Sequence, residues 1–240
     1  MTTPGGALVV AVVAAAEGNA GTELAAGLGV RGATVTAVSD STLGGRADFG
    51  AALDAVARRH GAIDAVVVAS VGTGPTRRGD VAGLDGDAWR QRVEIPLHRT
   101  LVCFQGAFDA LRAAGGTMVL LVPTLSLVGA AGFGPWAAVT EGQRALAKAA
   151  ARAWGASRIT VNCVAVPAAL LDPADVVSAA SEDAGATRAP VDRPGQPAPA
   201  LAPPDVRSDV APVVHALLSP AWRAVTGATV AVDGGVWMTP

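Results

Sequence analysis

The chain has 240 residues, 51% hydrophobic and 4% aromatic, with a formal net charge of −2. That is enough apolar material for one core packed mainly with Ala, Val and Leu, and the weak charge makes no electrostatic case for nucleic acid or an anionic membrane. Cys103 and Cys163 lie in apolar segments without metal-ligand spacing, so buried thiols in a reducing compartment are expected and no metal site.

The apolar start, residues 7–16, lacks a basic leader and is too short to span a bilayer, so it reads as the first strand and the protein as cytoplasmic. Strand one is expected over Ala7 to Val13, a helix over Gly21 to Gly29, strand two over Ala33 to Val38, and a helix over Phe49 to His60. A strand follows at Ala65 to Ala69, then a long helix, Trp89 to Ala114, interrupted near its start by Pro96. Met118 to Val122 is the next strand. The Ala-rich run Trp136 to Ala153 is a helix, and the β-branched run Ile159 to Val166 a strand covered on both faces. Asp209 to Leu218 is the last helix and Ala228 to Val232 the last strand. Such alternation predicts one α/β domain over 1–240, a doubly wound, Rossmann-like three-layer sandwich on a central parallel sheet. Residues 181–207, with six prolines from Pro190 to Pro204, have the composition of an extended, mobile loop.

The order of elements, the ending TGATVAVDGGVWMTP, the segments WRQRVEIPL and RHGAIDAVVVASVG, and Val161-Asn162 within the strand after the Ala-rich helix resemble the short-chain dehydrogenase/reductase family over nearly the whole chain. The resemblance implies a nicotinamide cofactor bound on a Gly-rich turn after strand one. It also implies a catalytic Tyr-x-x-x-Lys pair opening the Ala-rich helix, a serine before it, and an asparagine on the preceding long helix. Only STLGGRAD separates Asp40 from the next helix, so the helix and strand that the family uses on the adenine side are expected to be lost or shortened.

Set against the family's pattern, the cofactor turn falls on Ala14 to Gly21, AAAEGNAG, where Gly21 alone stays in register and Ala15 and Asn19 replace the other glycines. Glu17 would repel phosphate. Asp40 lies one residue past the ribose-binding position, at Ser39, and the family's Asn-Asn-Ala-Gly is here Ala69 to Gly72. Gly21, Asp40 and Gly72 are thus remnants, and no cofactor is expected.

Anchoring on Val161-Asn162 places the asparagine, serine, tyrosine and lysine positions at Pro96, Pro123, Trp136 and Thr140. No tyrosine exists anywhere in the chain, and its only lysine, Lys148, lies twelve residues after Trp136. Proline offers no hydroxyl or N–H, and an indole N–H is too weak an acid to substitute for a phenol. Thr124, beside Pro123, is the one candidate for the serine's place. Of the nearby polar candidates Glu141, His98, Ser126 and Thr140, Glu141 reads as a solvated helix face and His98 as a surface or interface group; His60 reads as a helix-end group, and no nucleophile–base pair is found.

The reading favoured by these departures is a catalytically retired subunit that pairs with an active member of the family. Pairing would use helices 89–114 and 136–153, where the small residues Ala137, Ala138, Ala145 and Ala149 allow close approach. Homo- and hetero-oligomers both remain open. The second reading is a cofactor-independent cyclase or dehydratase in the remodelled cavity. The third is a divergent NAD(P)-dependent oxidoreductase.

Overall fold

The computed structural model describes residues 7–15, 19–69, 80–171 and 199–238. In chain order the elements are β1 (Val9–Ala14), α1 (Asn19–Gly29), β2 (Thr34–Ser39), α2 (Arg46–His60), β3 (Ala65–Val68), α3 (Gly86–Trp89), α4 (Ile95–Leu111) and β4 (Gly116–Pro123). They continue with α5 (Leu125–Val128), α6 (Gly134–Trp154), β5 (Ile159–Val166), α7 (Ala168–Leu171), α8 (Ala211–Leu218) and β6 (Thr229–Ala231). The strands form one sheet in the order β2-β1-β3-β4-β5-β6, and every pairing is parallel. The chain therefore has the expected three-layer, Rossmann-like architecture.

Alternation along the strands divides the core. Met118, Leu120 and Val122 of β4 face a layer containing Phe49 and Leu53 of α2, Phe104 and Leu111 of α4, and Ala147 and Ala151 of α6. Val119 and Leu121 face the opposite layer, with Leu24 and Leu28 of α1 and Val214 and Leu217 of α8. The central strands are apolar on both faces because both are covered.

Among the described residues β2 is the edge of the sheet. A 3-10 turn, Asp40–Gly44, carries the chain directly from β2 toward α2, so the adenine-side helix and strand are shortened as expected. Gly21 explains how α1 meets β1. A Cβ added there would land on the Ala14 methyl, so only a glycine lets the helix start this close to the strand end.

Two helices differ from their predicted form. The predicted span 89–114 is one turn of α3, a π turn at Arg90–Glu94, and then α4. Pro96 is the cause: it has no N–H to give the carbonyl one turn back, and the helix widens just before it, with the Ile95 N–H reaching the Arg90 carbonyl. The helix before β6 likewise opens with a π turn, Val206–Val210, capped by Asp205, whose carboxylate accepts from the N–H groups of Arg207 and Ser208. Those hydrogen bonds, from Ser208 first, hold the Asp205 carboxyl below its ordinary range. The proline-rich stretch predicted over 181–207 lies outside the described residues as far as 198. From Pro199 to Pro203 the described residues are exposed, with the Leu201 N–H donating to the Gly234 carbonyl at 2.9 Å, and residues 205–207 already belong to the capped turn.

Candidate active site

The order of strands reverses between β1 and β3, and a doubly wound sheet binds ligands beyond the carboxyl ends of its strands at such a point. Here that edge is formed by Ala14, Ser39, Val68, Pro123 and Val166. The eleven residues of α1 begin beside it with no acidic residue in the first turn, so its unpaired N–H groups suit an anion. Asp40 follows β2 at the same edge. Its carboxylate lies 3.8 Å from the Arg99 guanidinium on α4, both groups being partly buried. Ser39, the position in strict register, is occupied locally, its hydroxyl accepting from the Ser41 N–H at 3.2 Å. Gly72 lies outside the described residues, as does Glu17.

On the β4 side, Pro123 is the last residue of the strand and Thr124 the first beyond it. The Thr124 N–H donates to the Val166 carbonyl at 2.8 Å and its carbonyl accepts from the Leu127 N–H at 2.9 Å. Its hydroxyl is buried without a hydrogen-bond partner among the described residues. Trp136, in the first turn of α6, is buried in a small apolar cluster with Leu125, Phe133 and Ala168, its ring 6.3 Å from that of Phe133. Thr140, one turn on, is wholly buried and donates to the Trp136 carbonyl at 2.9 Å.

Pro96 is buried at the π turn, and its carbonyl accepts from the Thr100 hydroxyl at 2.9 Å. Thr100 in turn accepts from the Gln143 amide of α6 at 3.1 Å. This tie between α4 and α6 was not anticipated. Its signal was available: Gln143 sits between Val139 and Ala147 at helical spacing, one polar residue in an inward apolar stripe.

The other polar candidates do not converge. Glu141 pairs with Arg144 at 2.8 Å on the surface, His60 meets the Thr36 hydroxyl at 3.2 Å, and Ser126 reaches only the Pro123 carbonyl at 3.4 Å. His98 is exposed on α4. Burial lifts the Cys163 thiol from 9.0 to about 12 and pushes Cys103 up as well, so neither offers a thiolate at neutral pH. No group of three or more His, Cys, Asp or Glu residues that could hold a metal occurs among the described residues. Nor is any described helix long and apolar enough to cross a membrane.

A family model described as enoyl-(acyl carrier protein) reductase matches residues 1–237. The chain belongs to the short-chain dehydrogenase/reductase family. It is 32% identical over 191 residues to cis-4-hydroxycyclohexanecarboxylate dehydrogenase of Sinomonas cyclohexanicum, covering 77% of this chain and 70% of that protein. It is 33% identical over 114 residues to the trans-4-hydroxycyclohexanecarboxylate dehydrogenase of the same organism, a match spanning 48% of this chain and 43% of the relative. Among solved structures, 3-ketoacyl-(acyl-carrier-protein) reductase from Brucella melitensis, complexed with NADH, superposes with a TM-score of 0.75 at 17% identity, covering 96% of this chain and 98% of that one. A short-chain dehydrogenase/reductase from Mycobacterium ulcerans gives 0.72 at 23% identity, covering 96% and 90%. At those identities the superpositions speak for the fold alone.

These relatives correct two expectations. The retired subunit kept for an active paralogue is overturned, because the sequence similarity runs to dehydrogenases in their own right and over most of the chain. The expectation of no cofactor falls with it. The relatives are dehydrogenases and one structural neighbour is complexed with NADH, whereas the expectation rested on the loss of two glycines and both amides, and a pyrophosphate is met chiefly by backbone N–H groups at a helix amino end. Members of the family commonly form oligomers.

Proposed function

We propose that the chain, read as one domain over 1–240, is an NAD(P)-linked oxidoreductase that interconverts a ring alcohol and its ketone. The substrate class is a small alicyclic acid, of the kind named for the two Sinomonas relatives. The observation that carries this reading is the 32% identity over 191 residues with one of those dehydrogenases.

The residues of the β1–α1–β2 side fit a nicotinamide dinucleotide. The amino end of α1, brought against β1 by Gly21, would meet the pyrophosphate, and Asp40 would accept from the ribose hydroxyls. When bound, the nucleotide supplies the hydride donor or acceptor. The Asp40 carboxylate disfavours a 2′-phosphate beside it, which supports NAD(H) over NADP(H). On the β4–α6 side the family positions Pro96, Pro123, Trp136 and Thr140 bring no titrating group. What the chain contributes there is an apolar wall around Trp136 that excludes water and packs against the hydrocarbon of a ring.

Pairing of two copies through helices 89–114 and 136–153 is supported by Ile95 and Leu101, exposed on α4, and by Ala145 and Ala149 outward on α6. Ala137 instead packs toward the Trp136 cluster. The two unbridged, buried thiols support a cytoplasmic setting.

Calorimetric titration with NADH and NADPH, followed by NAD⁺-dependent oxidation of cis- and trans-4-hydroxycyclohexanecarboxylate, tests the proposal. NADH is expected to bind at or below ~10 μM, about −7 kcal/mol. Failure of both nucleotides to bind would remove it.

A further inference from the structure

We propose that β2 is a self-pairing edge: two copies of this chain join antiparallel through Thr34–Ser39, about a two-fold axis at Thr36. The surface is separate from the helices named above for pairing, and its use does not depend on the oxidoreductase reading.

Among the described residues β2 has a neighbouring strand on one side only, β1. The Thr34 N–H donates to the Leu8 carbonyl at 2.8 Å, so by the alternation of a strand Thr34, Thr36 and Val38 turn their backbone groups toward β1. Val35 and Ala37 turn theirs outward, and Ala37 is exposed. The edge is closed locally at both ends. The Ala33 N–H donates to the Leu28 carbonyl at 3.2 Å, and the Ser39 carbonyl accepts from the Thr42 hydroxyl at 2.7 Å. The open part is Val35 to Ala37.

An open row of N–H and C=O groups recruits other strands, and natural edges are guarded against this by a lysine, a proline or a bulge. The sequence TVTAVS has no charge and no proline, and its register with β1 runs unbroken from Thr34 to Ser39. Thr34, Val35, Thr36 and Val38 are β-branched, which suits a strand flanked on both sides. The chain leaves β2 through the short 3-10 turn Asp40–Gly44. An unguarded edge of this composition is best explained by a strand that covers it.

A second copy fits it. With the axis at Thr36, Val35 of each copy lies opposite Ala37 of the other, and the two pairs exchange about four hydrogen bonds that use every outward backbone group of both residues. Thr36 meets its own copy in the closely spaced, non-hydrogen-bonded position, where Thr–Thr pairs are favourable. The ends agree in charge. Arg31 precedes the strand and Asp40 follows it, so antiparallel pairing sets each Arg31 beside the other copy's Asp40. Val30, 69% exposed, comes over the other copy's 3-10 turn. The contact is isologous and joins the two six-stranded sheets into one. One feature opposes it: Arg58 and Arg59 are exposed beside His60, whose ring meets the Thr36 hydroxyl at 3.2 Å, and they bring like charge toward the axis. Moderate salt screens that repulsion.

The test uses the full chain in moderate salt. Ala37→Pro removes an outward N–H without touching the ladder to β1, and should halve the mass found by sedimentation equilibrium. If the helices also pair copies, wild type and variant share that contact and the twofold ratio remains. Should A37P not fold, Ala37→Lys guards the edge and carries the same comparison. Register is read by Thr36→Cys. The two Cα atoms at the axis would be about 4.5 Å apart, within reach of a disulfide. Mild oxidation should therefore give a covalent dimer, while Thr34→Cys, two residues off the axis, should give none; the native Cys103 and Cys163 are buried. A wild-type monomer, an unchanged mass in the folded edge variant, no cross-link at T36C, or an equal one at T34C overturns the proposal.

Discussion

The two sides of the carboxyl edge are built on different principles. The β1–α1–β2 side is defined by backbone: a helix amino end, a glycine that permits a helix–strand contact, and one carboxylate at a strand end. The β4–α6 side is defined by side-chain filling: Trp136, Leu125, Phe133 and Ala168 form an apolar plug, and Pro123 and Thr140 are buried as well. A backbone site tolerates exchange of most of its side chains. A proton-transfer site does not, because its work depends on particular titrating atoms. The contrast explains how a chain can keep the family's fold, and dehydrogenases among its relatives, with no tyrosine anywhere in its sequence.

The largest expected effect comes from making the β4–α6 side resemble the rest of the family. Trp136→Tyr with Thr140→Lys would set a phenol and an ammonium one helical turn apart, on the same face, where the cation lowers the phenol pKa. General acid–base catalysis contributes about 10² to 10⁴ in rate, so kcat should rise within that range. The pH profile should change form as well. The wild type, with no titrating group at these positions, should oxidise alcohol faster as pH rises without a plateau, whereas the double variant should level off once its phenol ionises. Thr140 is buried, so the fold of W136Y alone is measured beside the pair. A folded double variant without gain would show that the wild type already has a proton route of its own, and the contrast between the two sides would dissolve.

The opposite side is broken by bulk rather than by chemistry. Gly21→Val drives a branched side chain into the Ala14 methyl, and overpacking of this kind costs about 1–3 kcal/mol. NADH affinity should fall with it, because the amino end of α1 is pushed off the edge of the sheet. Gly29→Ala, at the far end of the same helix with open space around it, should be neutral or slightly stabilising, at ~0–1 kcal/mol. Equal melting and equal NADH binding in the two variants would mean that the close contact at Gly21 is not what positions the helix.

Much of this is legible in the sequence, and what was missed has two separate causes. Ile159–Val166 is read to the residue because a run of eight positions, all apolar or β-branched except Asn162 and ended by Pro167, leaves one interpretation. The shortened connection after β2 followed from counting eight residues between Asp40 and the next helix. Pro96 announced an interruption, but not that it would be resolved as a π turn, since that depends on how α4 seats against α6. The error about the cofactor had a different origin. Counting glycines in AAAEGNAG weighed each position equally, although Gly21 is the one that the packing of α1 on β1 demands. Absence of tyrosine was plain in the composition, but it bears on how a proton moves and not on whether a nucleotide binds.

The smallest expected effect tests the one charged group on the backbone-built side. The Asp40–Arg99 pair is 3.8 Å apart and partly exposed, so Asp40→Asn should change stability by no more than about 0–1 kcal/mol. Its effect on nucleotide choice should be easier to see. Removing the carboxylate takes away an acceptor for the ribose hydroxyls and leaves the Arg99 charge less neutralised at the end of β2, which favours a 2′-phosphate. The ratio of NADPH to NADH affinity should therefore rise several-fold in calorimetric titrations, and the rise should shrink with added salt because the site is open to solvent screening. An unchanged ratio would place the adenosine ribose away from Asp40 and shift the search to Ser39, whose hydroxyl is the next polar group along the same edge.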